Sequence, residues 1–327
     1  MANVSKMLHE REDIARYHGV YVSMDELVAL QANDLRLDLR GKRKAVTAMA
    51  GQHRSSFRGR GIDFDEVRVY QPGDDVRNID WRVTARTGRA HTKLFREERE
   101  RPVYLVVDQR ESLFFGSQNA FKSVVAARTA ALLAWASRVH GDRVGGFLFN
   151  DHEVQELRPK EGKKGIQNFF RLLIQFNQAL DGQRTRLEFT RHAMTQAMSH
   201  LNQVVRPGSL VFLISDFHHF EPDTLQHLTL CARHNDLVGI QIQDPLEKQL
   251  PHSGAYGFTD GMRNVRTDTS VRNVRKDYAL NYVERQTQLR EQLSSIGVPL
   301  IEIDTGDLIT DRLRAALGLK AGMGLRS

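Results

Sequence analysis

The sequence predicts an α/β protein built on a doubly wound, mostly parallel sheet with helices on both faces. Three observations predict this fold class. Short apolar runs without polar alternation recur after residue 102, as expected of strands buried on both faces. Stretches with apolar residues at helical spacing separate these runs. Strands that alternate with helices form right-handed crossovers, which place successive strands in parallel.

Composition narrows the functional classes. The chain has 327 residues, of which 40% are hydrophobic and 27% charged, so it has a sizeable core and is not intrinsically disordered. The formal net charge is +7 with both signs interspersed, which argues against nucleic acid as a partner. The single cysteine, Cys231, excludes a disulfide framework and a zinc ribbon. Residues 130–136 form the longest apolar stretch, far short of the roughly 20 residues of a membrane span. We therefore expect a cytoplasmic protein.

The N-terminal segment, residues 1–57, is predicted to contain one helix and a basic linker. Ser23 and Glu26 have the spacing of a capping box and precede leucines at helical spacing, which predicts a helix over 23–36. Residues 41–61 are rich in Lys, Arg, Gly and Ser and lack a sustained period, which indicates a connection.

A small β-rich hairpin unit is predicted over residues 58–100. Residues 64–70 alternate in the manner of a strand, residues 71–75 contain turn-forming residues, and residues 90–97 have the pattern of a returning strand.

The α/β domain is predicted over residues 101–320. Its strands are expected at 103–107, 143–149, 209–215, 237–243 and 298–303, and its helices at 121–139, 165–179 and 188–205.

Two of the predicted strands end in an aspartate. Asp108 follows the first apolar run and Asp216 follows the run at 209–215. Ligands of open α/β sheets bind at the carboxyl ends of the strands, so these carboxylates are candidate site residues. With Ser112 and Thr185, they resemble the metal-ion-dependent adhesion site of the von Willebrand factor A fold, which uses D-x-S-x-S, a threonine and a later aspartate. The resemblance implies an oxygen-rich site for magnesium or manganese.

Arg110 departs from this pattern because it occupies the place of the first serine. A guanidinium has only donors and stays protonated, so it does not ligate a metal. Two hypotheses follow. Arg110 either points away and leaves a weakened metal site, or it lies between Asp108 and Asp216 as a built-in cation. In a third interpretation, both aspartates simply cap helix N-termini.

A longer motif lies in the β-rich unit, where residues 70–86 read YQPGDDVRNIDWRVTAR. This segment resembles the Y-x-x-G-D-D-x-R-x-I-D-W-x-x-x-A-R signature of domain-of-unknown-function family 58. Further agreement lies at residues 215–217, 244–247 and 303–305. The resemblance implies a von Willebrand factor A-like domain after the signature. It also implies a non-enzymatic adaptor of the short form without membrane spans, working with a MoxR-type AAA+ ATPase on an unknown client protein.

The signature has two interpretations. In the first it is a structural bracket, in which three acids pair with three arginines and Trp81 anchors the turn. The pairs would join Asp74, Asp75 and Asp80 to Arg68, Arg77 and Arg86. In the second it is a docking surface that carries partner specificity. Its binding residues would be Asp74, Asp75, Arg77, Asp80 and Trp81.

Function is therefore predicted as protein interaction, with partners bound through the top of a degenerate metal site. If Arg110 replaces the metal, it is expected to bind a partner's carboxylate directly and bidentately. The first alternative is a metal-dependent hydrolase that uses Asp108 and Asp216. The second is a nucleic-acid-binding regulator, which rests on net charge alone. The sequence contains no P-loop motif that would bind a nucleotide.

Overall fold

The computed structural model describes residues 19–33, 62–71, 74–97, 102–139, 141–181, 187–251, 253–259 and 264–317. The chain divides into two compact units, one of residues 54–101 and a larger one of residues 1–53 with 102–327. Along the chain the elements are α1 (Met24–Ala29), β1 (Ile62–Val69), α2 (Trp81–Thr87), β2 (His91–Glu97), β3 (Pro102–Asp108), α3 (Lys122–Val139), β4 (Arg143–Phe149), β5 (Val154–Lys160), α4 (Gly162–Gln178), α5 (Leu187–Val204), β6 (Leu210–Ser215), α6 (Pro222–His234), β7 (Asp236–Gln243), α7 (Pro245–Lys248), β8 (Ala255–Thr259), β9 (Asn264–Asp268), α8 (Arg272–Ser295), β10 (Leu300–Asp304) and α9 (Ile309–Ala316).

Helix α1 begins where the capping pattern predicts. Ser23 Oγ accepts a hydrogen bond from the backbone N–H of Glu26 at 3.2 Å. The helix is shorter than the predicted 23–36 and ends at Ala29. It packs within the larger unit, because Leu27 is fully buried and its carbonyl accepts a hydrogen bond from Trp135 Nε1 at 2.9 Å.

The smaller unit contains the predicted hairpin. Strands β1 and β2 pair antiparallel, with an irregularity in register between Phe64 and Glu66. Helix α2 lies between them, although the sequence pattern indicated only a turn and a returning strand. Asp80 begins this helix by accepting hydrogen bonds from Arg82 N at 3.0 Å and Val83 N at 3.1 Å.

The larger unit is built on a six-stranded sheet in the order β10-β7-β6-β3-β4-β5. All neighbours are parallel except β5, which pairs antiparallel with β4 at one edge. The prediction of a mixed α/β protein with a mostly parallel central sheet is therefore confirmed. The chain moves outward in opposite directions from β3 and β6, so the switch point lies between these two strands.

Both faces of the sheet are covered, because alternate strand residues point to opposite sides. Leu105 packs in a core that also holds Phe170 of α4 and much of α3. Val106 packs in a second core with Met194 of α5 and Leu289 of α8. None of the described helices is both long enough and apolar enough to cross a bilayer.

Candidate functional site

Asp108 and Arg110 form a buried ion pair at the end of β3. The carboxylate of Asp108 accepts a hydrogen bond from the backbone N–H of Arg110 at 3.0 Å, which turns the chain as it leaves the strand. The guanidinium folds back onto the same carboxylate, with Nε 3.0 Å from each oxygen and Nη2 2.6 Å from Oδ2. Both side chains have no exposed surface. The site is therefore closed to solvent at this point.

The Arg110 guanidinium also lies beside the second aspartate. Its Nη2 is 3.6 Å from Asp216 Oδ1, and its Nη1 donates to the carbonyl of His218 at 3.2 Å. Ser215 Oγ donates to Asp108 Oδ2 at 2.6 Å, which links the ends of β3 and β6 directly. The side chain thus lies between the two carboxylates, in the geometry of the built-in cation hypothesis.

A second buried cation completes the cluster. Lys122 is the first residue of α3, and its side chain is only 1% exposed. Its Nζ donates to Asp216 Oδ2 at 3.0 Å and to Glu247 Oε1 at 2.5 Å. Sequence reasoning did not select Lys122 or Glu247. The available signals were a lysine at the start of a helix rich in alanine, valine and leucine, and a glutamate in the Asp-Pro-Leu-Glu segment.

The charges of this cluster stabilise one another. Burial opposes ionisation of Asp216, but Lys122 and Arg110 outweigh it and hold the pKa of this carboxyl well below its usual range. The pKa values of Arg110 and Lys122 are raised because neighbouring carboxylates outweigh the cost of burial. Burial raises the pKa of Asp108, and the guanidinium opposes that shift. Asp216 and its two cations are therefore charged at neutral pH.

Asp244 forms a separate clamp at the end of β7. Its carboxylate accepts hydrogen bonds from Ser117 N at 2.7 Å and Ser117 Oγ at 2.6 Å. It also accepts from Thr305 Oγ1 at 2.6 Å and from Leu246 N at 2.9 Å. This one buried carboxylate therefore connects the loop after β3, the start of α7 and the end of β10.

The remaining predicted metal ligands are placed differently. Ser112 is nearly buried, and its hydroxyl has no hydrogen-bond partner among the described residues. Thr185 lies outside the described residues. Within the ranges that the structure describes, no group of three or more His, Cys, Asp or Glu side chains is arranged to hold a metal ion.

Two expectations about the aspartates and Arg110 are wrong. Neither Asp108 nor Asp216 caps a helix, because their carboxylates accept the backbone N–H groups of Arg110 and His218 in the loops after β3 and β6. Arg110 does not present its guanidinium to a partner's carboxylate, because the side chain has no exposed surface and its donors contact Asp108.

The signature residues of the smaller unit have separate roles. Arg68 pairs with Asp74 at 2.7 Å, as the bracket interpretation expects, whereas Arg77 lies 3.7 Å from Asp75 in an exposed contact. Asp80 caps α2, which the ion-pair interpretation did not anticipate. Trp81 is 70% exposed, so the expectation that it anchors the turn by apolar burial is wrong.

Comparison with known proteins gives mycobacterial relatives, a solved structure and a family. An uncharacterised protein of Mycobacterium bovis is 28% identical over 289 residues, covering 88% of both chains. Uncharacterised proteins from two strains of Mycobacterium tuberculosis match to the same extent. A solved structure, the conserved hypothetical protein BatB from Bacteroides thetaiotaomicron, aligns with a TM-score of 0.42 at 12% identity, covering 67% of this chain and 97% of that one. The family described as "Protein of unknown function DUF58" matches residues 66–288, and the chain therefore belongs to the DUF58 family.

Proposed function

We propose that this protein is a non-enzymatic adaptor whose larger unit is a von Willebrand factor A-like interaction module. The sheet order supports this proposal, since the acids after β3 and β6 flank the switch point, where ligands of such sheets bind. The six-stranded sheet with its antiparallel edge strand β5 also supports the resemblance to the von Willebrand factor A fold.

The observation that carries the proposal is the placement of Arg110 between Asp108 and Asp216. A divalent cation at this place would need carboxylate oxygens that the guanidinium already contacts at 2.6 to 3.6 Å. The residues present therefore do not fit magnesium or manganese between the two acids. In this proposal Arg110 takes over the structural role of the metal and fixes the carboxyl edge of the sheet as a rigid platform.

The same pairing favours binding over catalysis. A general base needs a carboxylate that reaches a substrate proton. Asp108 and Asp216 are buried and contact Arg110 and Lys122 instead. The metal-dependent hydrolase alternative is correspondingly less well supported, because it requires these same two side chains to activate water.

The proposed partner is an AAA+ ATPase of the MoxR type, which acts with this chain on a client protein in the cytoplasm. The family resemblance suggests this partner, and the ATPase would supply the nucleotide chemistry for which this sequence has no P-loop.

The test measures binding of the purified full chain to a purified MoxR-type ATPase from the same organism, by biolayer interferometry with magnesium and a slowly hydrolysed ATP analogue. Phe115 is exposed in the loop after β3, on the carboxyl side of the sheet, whereas Val139 is exposed at the opposite end of α3. We expect Phe115→Asp to weaken binding by about tenfold or more, as loss of an apolar contact does. Val139→Asp is the matched control and should bind like the native chain.

Absence of binding by the native chain would overturn the partnership. If Phe115→Asp and Val139→Asp bind equally well, the interface does not lie at the carboxyl edge of the sheet.

A further inference from the structure

A cavity of about 370 Å³ lies between the β6–α6 loop and helix α8, on the carboxyl side of the sheet. Its volume is in the range of small-molecule sites. The side chains that matter for its chemistry are His218, Gln241, Gln243, Tyr282, Arg285 and Gln286. Asp216 and Glu247, which contact Lys122, also line the cavity.

The wall of the cavity on the sheet side is formed by β7, whose residues point alternately to the two faces of the sheet. Ile240 and Ile242 pack in the core on one face of the sheet. The opposite face, which forms a core with α8, carries Gly239, Gln241 and Gln243 instead of aliphatic residues. A glycine and two amides fill less of the space between sheet and helix than leucines would, and they bring polar atoms into it.

On the helix side of the cavity, polar residues likewise replace apolar ones on the inward face of α8. Leu289 and Leu293 are buried against the sheet in the second half of the helix. One turn earlier, Gln286 is 9% exposed and occupies the equivalent inward place, and Tyr282 precedes it at helical spacing. Polar side chains at inward places of a helix contradict the pattern of a core, and such contradictions concentrate at functional sites.

A hydrogen-bond chain orients these amides. Tyr282 Oη donates to Gln243 Oε1 at 2.9 Å. Gln243 Nε2 in turn donates to Gln241 Oε1 at 2.7 Å and to Gln286 Oε1 at 3.2 Å. Within the described ranges, the Nε2 groups of Gln241 and Gln286 donate to no protein acceptor, although these residues are 2% and 9% exposed. The wall of the cavity thus presents two amide donors.

The hydrogen-bond donors around the cavity, and not its net charge, favour an anion. Asp216 and Glu247 at its inner end already contact Lys122. Arg285 is exposed at the rim, and its Nε donates to the carbonyl of Asn281 at 3.3 Å, one turn earlier in the same helix. The groups that remain to meet a ligand are therefore mainly donors: two amides and a guanidinium.

The rim loop also has an unusual backbone. Phe217 and His219 both have φ of 55°, although neither is glycine. A left-handed conformation is strained in such residues, and it concentrates at ligand-binding segments. The loop therefore holds His218 and His219 beside the cavity at an energetic cost that a random surface turn would not incur.

We propose that this cavity binds a carboxylate group, which accepts hydrogen bonds from Gln241 and Gln286 and an ion pair from Arg285. The carboxylate belongs either to a free small organic acid or to the C-terminus of a peptide. The cavity adjoins the buried cluster of Arg110 and Lys122, because Asp216 and Glu247 belong to both, and the proposal does not depend on the adaptor function.

The experiment is isothermal titration calorimetry of the full chain with matched probes at millimolar concentration. Benzoate and succinate are compared with benzylamine, which keeps the ring of benzoate but reverses the charge. A short peptide with a free C-terminus is compared with the same peptide amidated. We expect at least one carboxylate probe to bind and benzylamine not to bind. A preference for the free-terminus peptide over both acids assigns a protein tail, whereas binding of the acids without that preference assigns a small molecule.

Variants separate the site from non-specific charge effects. Gln286→Leu should weaken carboxylate binding about tenfold or more, since it removes a donor in a poorly hydrated place. Arg285→Ala should weaken binding by a smaller factor of about threefold, because it removes a cation at the exposed rim. Arg272→Ala removes an exposed arginine of the same helix that does not line the cavity, and it should bind like the native chain. Thermal unfolding of each variant checks that it is folded. The proposal is overturned if no carboxylate binds, if benzylamine binds as well as benzoate, or if folded Gln286→Leu and Arg285→Ala bind normally.

Discussion

At the scale of single residues, Arg110 and Lys122 place two positive charges in the protein interior, out of contact with solvent. Removing such ions from water costs several kcal/mol each, and close partners offset this cost only when they are all present. Arg110 contacts Asp108 and Asp216, and Lys122 contacts Asp216 and Glu247. Removing any one member of the cluster therefore leaves a neighbouring charge buried without its partner.

Arg110→Met should destabilise the protein by about 3–5 kcal/mol, because it leaves the Asp108 carboxylate buried without its cation. The measurement is urea unfolding of the native chain, Arg110→Met, Asp108→Asn and the double variant. We expect the double variant to lose less stability than the sum of the single losses. Strictly additive losses would contradict the coupling.

The depressed pKa of Asp216 predicts how stability depends on pH. An unfolded aspartate titrates near pH 4, whereas native Asp216 stays ionised to much lower pH because of Lys122 and Arg110. Below about pH 4 the unfolded state therefore binds more protons, and stability falls as pH falls. Asp216→Asn should show a shallower decrease of unfolding temperature on acidification than the native chain. Asp277→Asn, on the exposed surface of α8, should keep the native slope; an unchanged slope in Asp216→Asn would contradict this assignment.

At the scale of elements, single acids fix how segments meet. Asp244 joins the end of β7 to the loop after β3 and to Thr305 after β10. In the smaller unit, Asp80 starts α2 and leaves the next residue, Trp81, largely exposed. These contacts connect segments that are distant in sequence or begin a helix that hydrophobic pattern alone did not indicate.

Asp244→Asn should cost about 1–3 kcal/mol, because the amide nitrogen replaces an acceptor that Ser117 or Thr305 now contacts. Hydrogen exchange should rise in residues 114–121 and 305–308, on the two loops that the carboxylate holds. Thr305→Val, which removes one of these donors, should raise exchange at 305–308 only. Unchanged exchange in both loops of Asp244→Asn would show that the clamp is dispensable.

Trp81→Ala separates the two interpretations of the signature. Because the ring is 70% exposed, its removal should change stability by no more than about 0.5 kcal/mol. Asp80→Ala should cost about 1 kcal/mol through loss of the helix cap. If the signature is a docking surface, Trp81→Ala should also weaken ATPase binding in the interferometry assay. A large loss of stability in Trp81→Ala would instead restore the anchoring role.

At the scale of the whole molecule, pattern predicted the central sheet but not everything around it. Strands β3 and β6 were predictable because burial on both faces gives continuous apolar runs, and their pairing brings Asp108 and Asp216 together. Helix α8 was not predicted, since only three of its residues are buried and one of them is Gln286. The roles of Lys122 and Glu247 depend on contacts across 94 and 125 residues of chain, which no local pattern contains.

A chelator should leave the unfolding temperature of the whole protein unchanged, because a guanidinium and not a metal ion lies between the two acids. The measurement is thermal unfolding after treatment with EDTA and after addition of millimolar magnesium or manganese. A specific rise with either metal would contradict the replacement of the metal by Arg110. Ser112→Ala should behave like the native chain in all three conditions.

The Arg110 cluster has a consequence for how this family diverges. Three carboxylates, those of Asp108, Asp216 and Glu247, pair with the two cations. A substitution that removes one of these charges therefore leaves its partner buried without an opposite charge. A relative with a serine in place of Arg110 would therefore need compensating changes elsewhere in the cluster. We therefore expect the residues at positions 108, 110, 122, 216 and 247 to covary among members of the family.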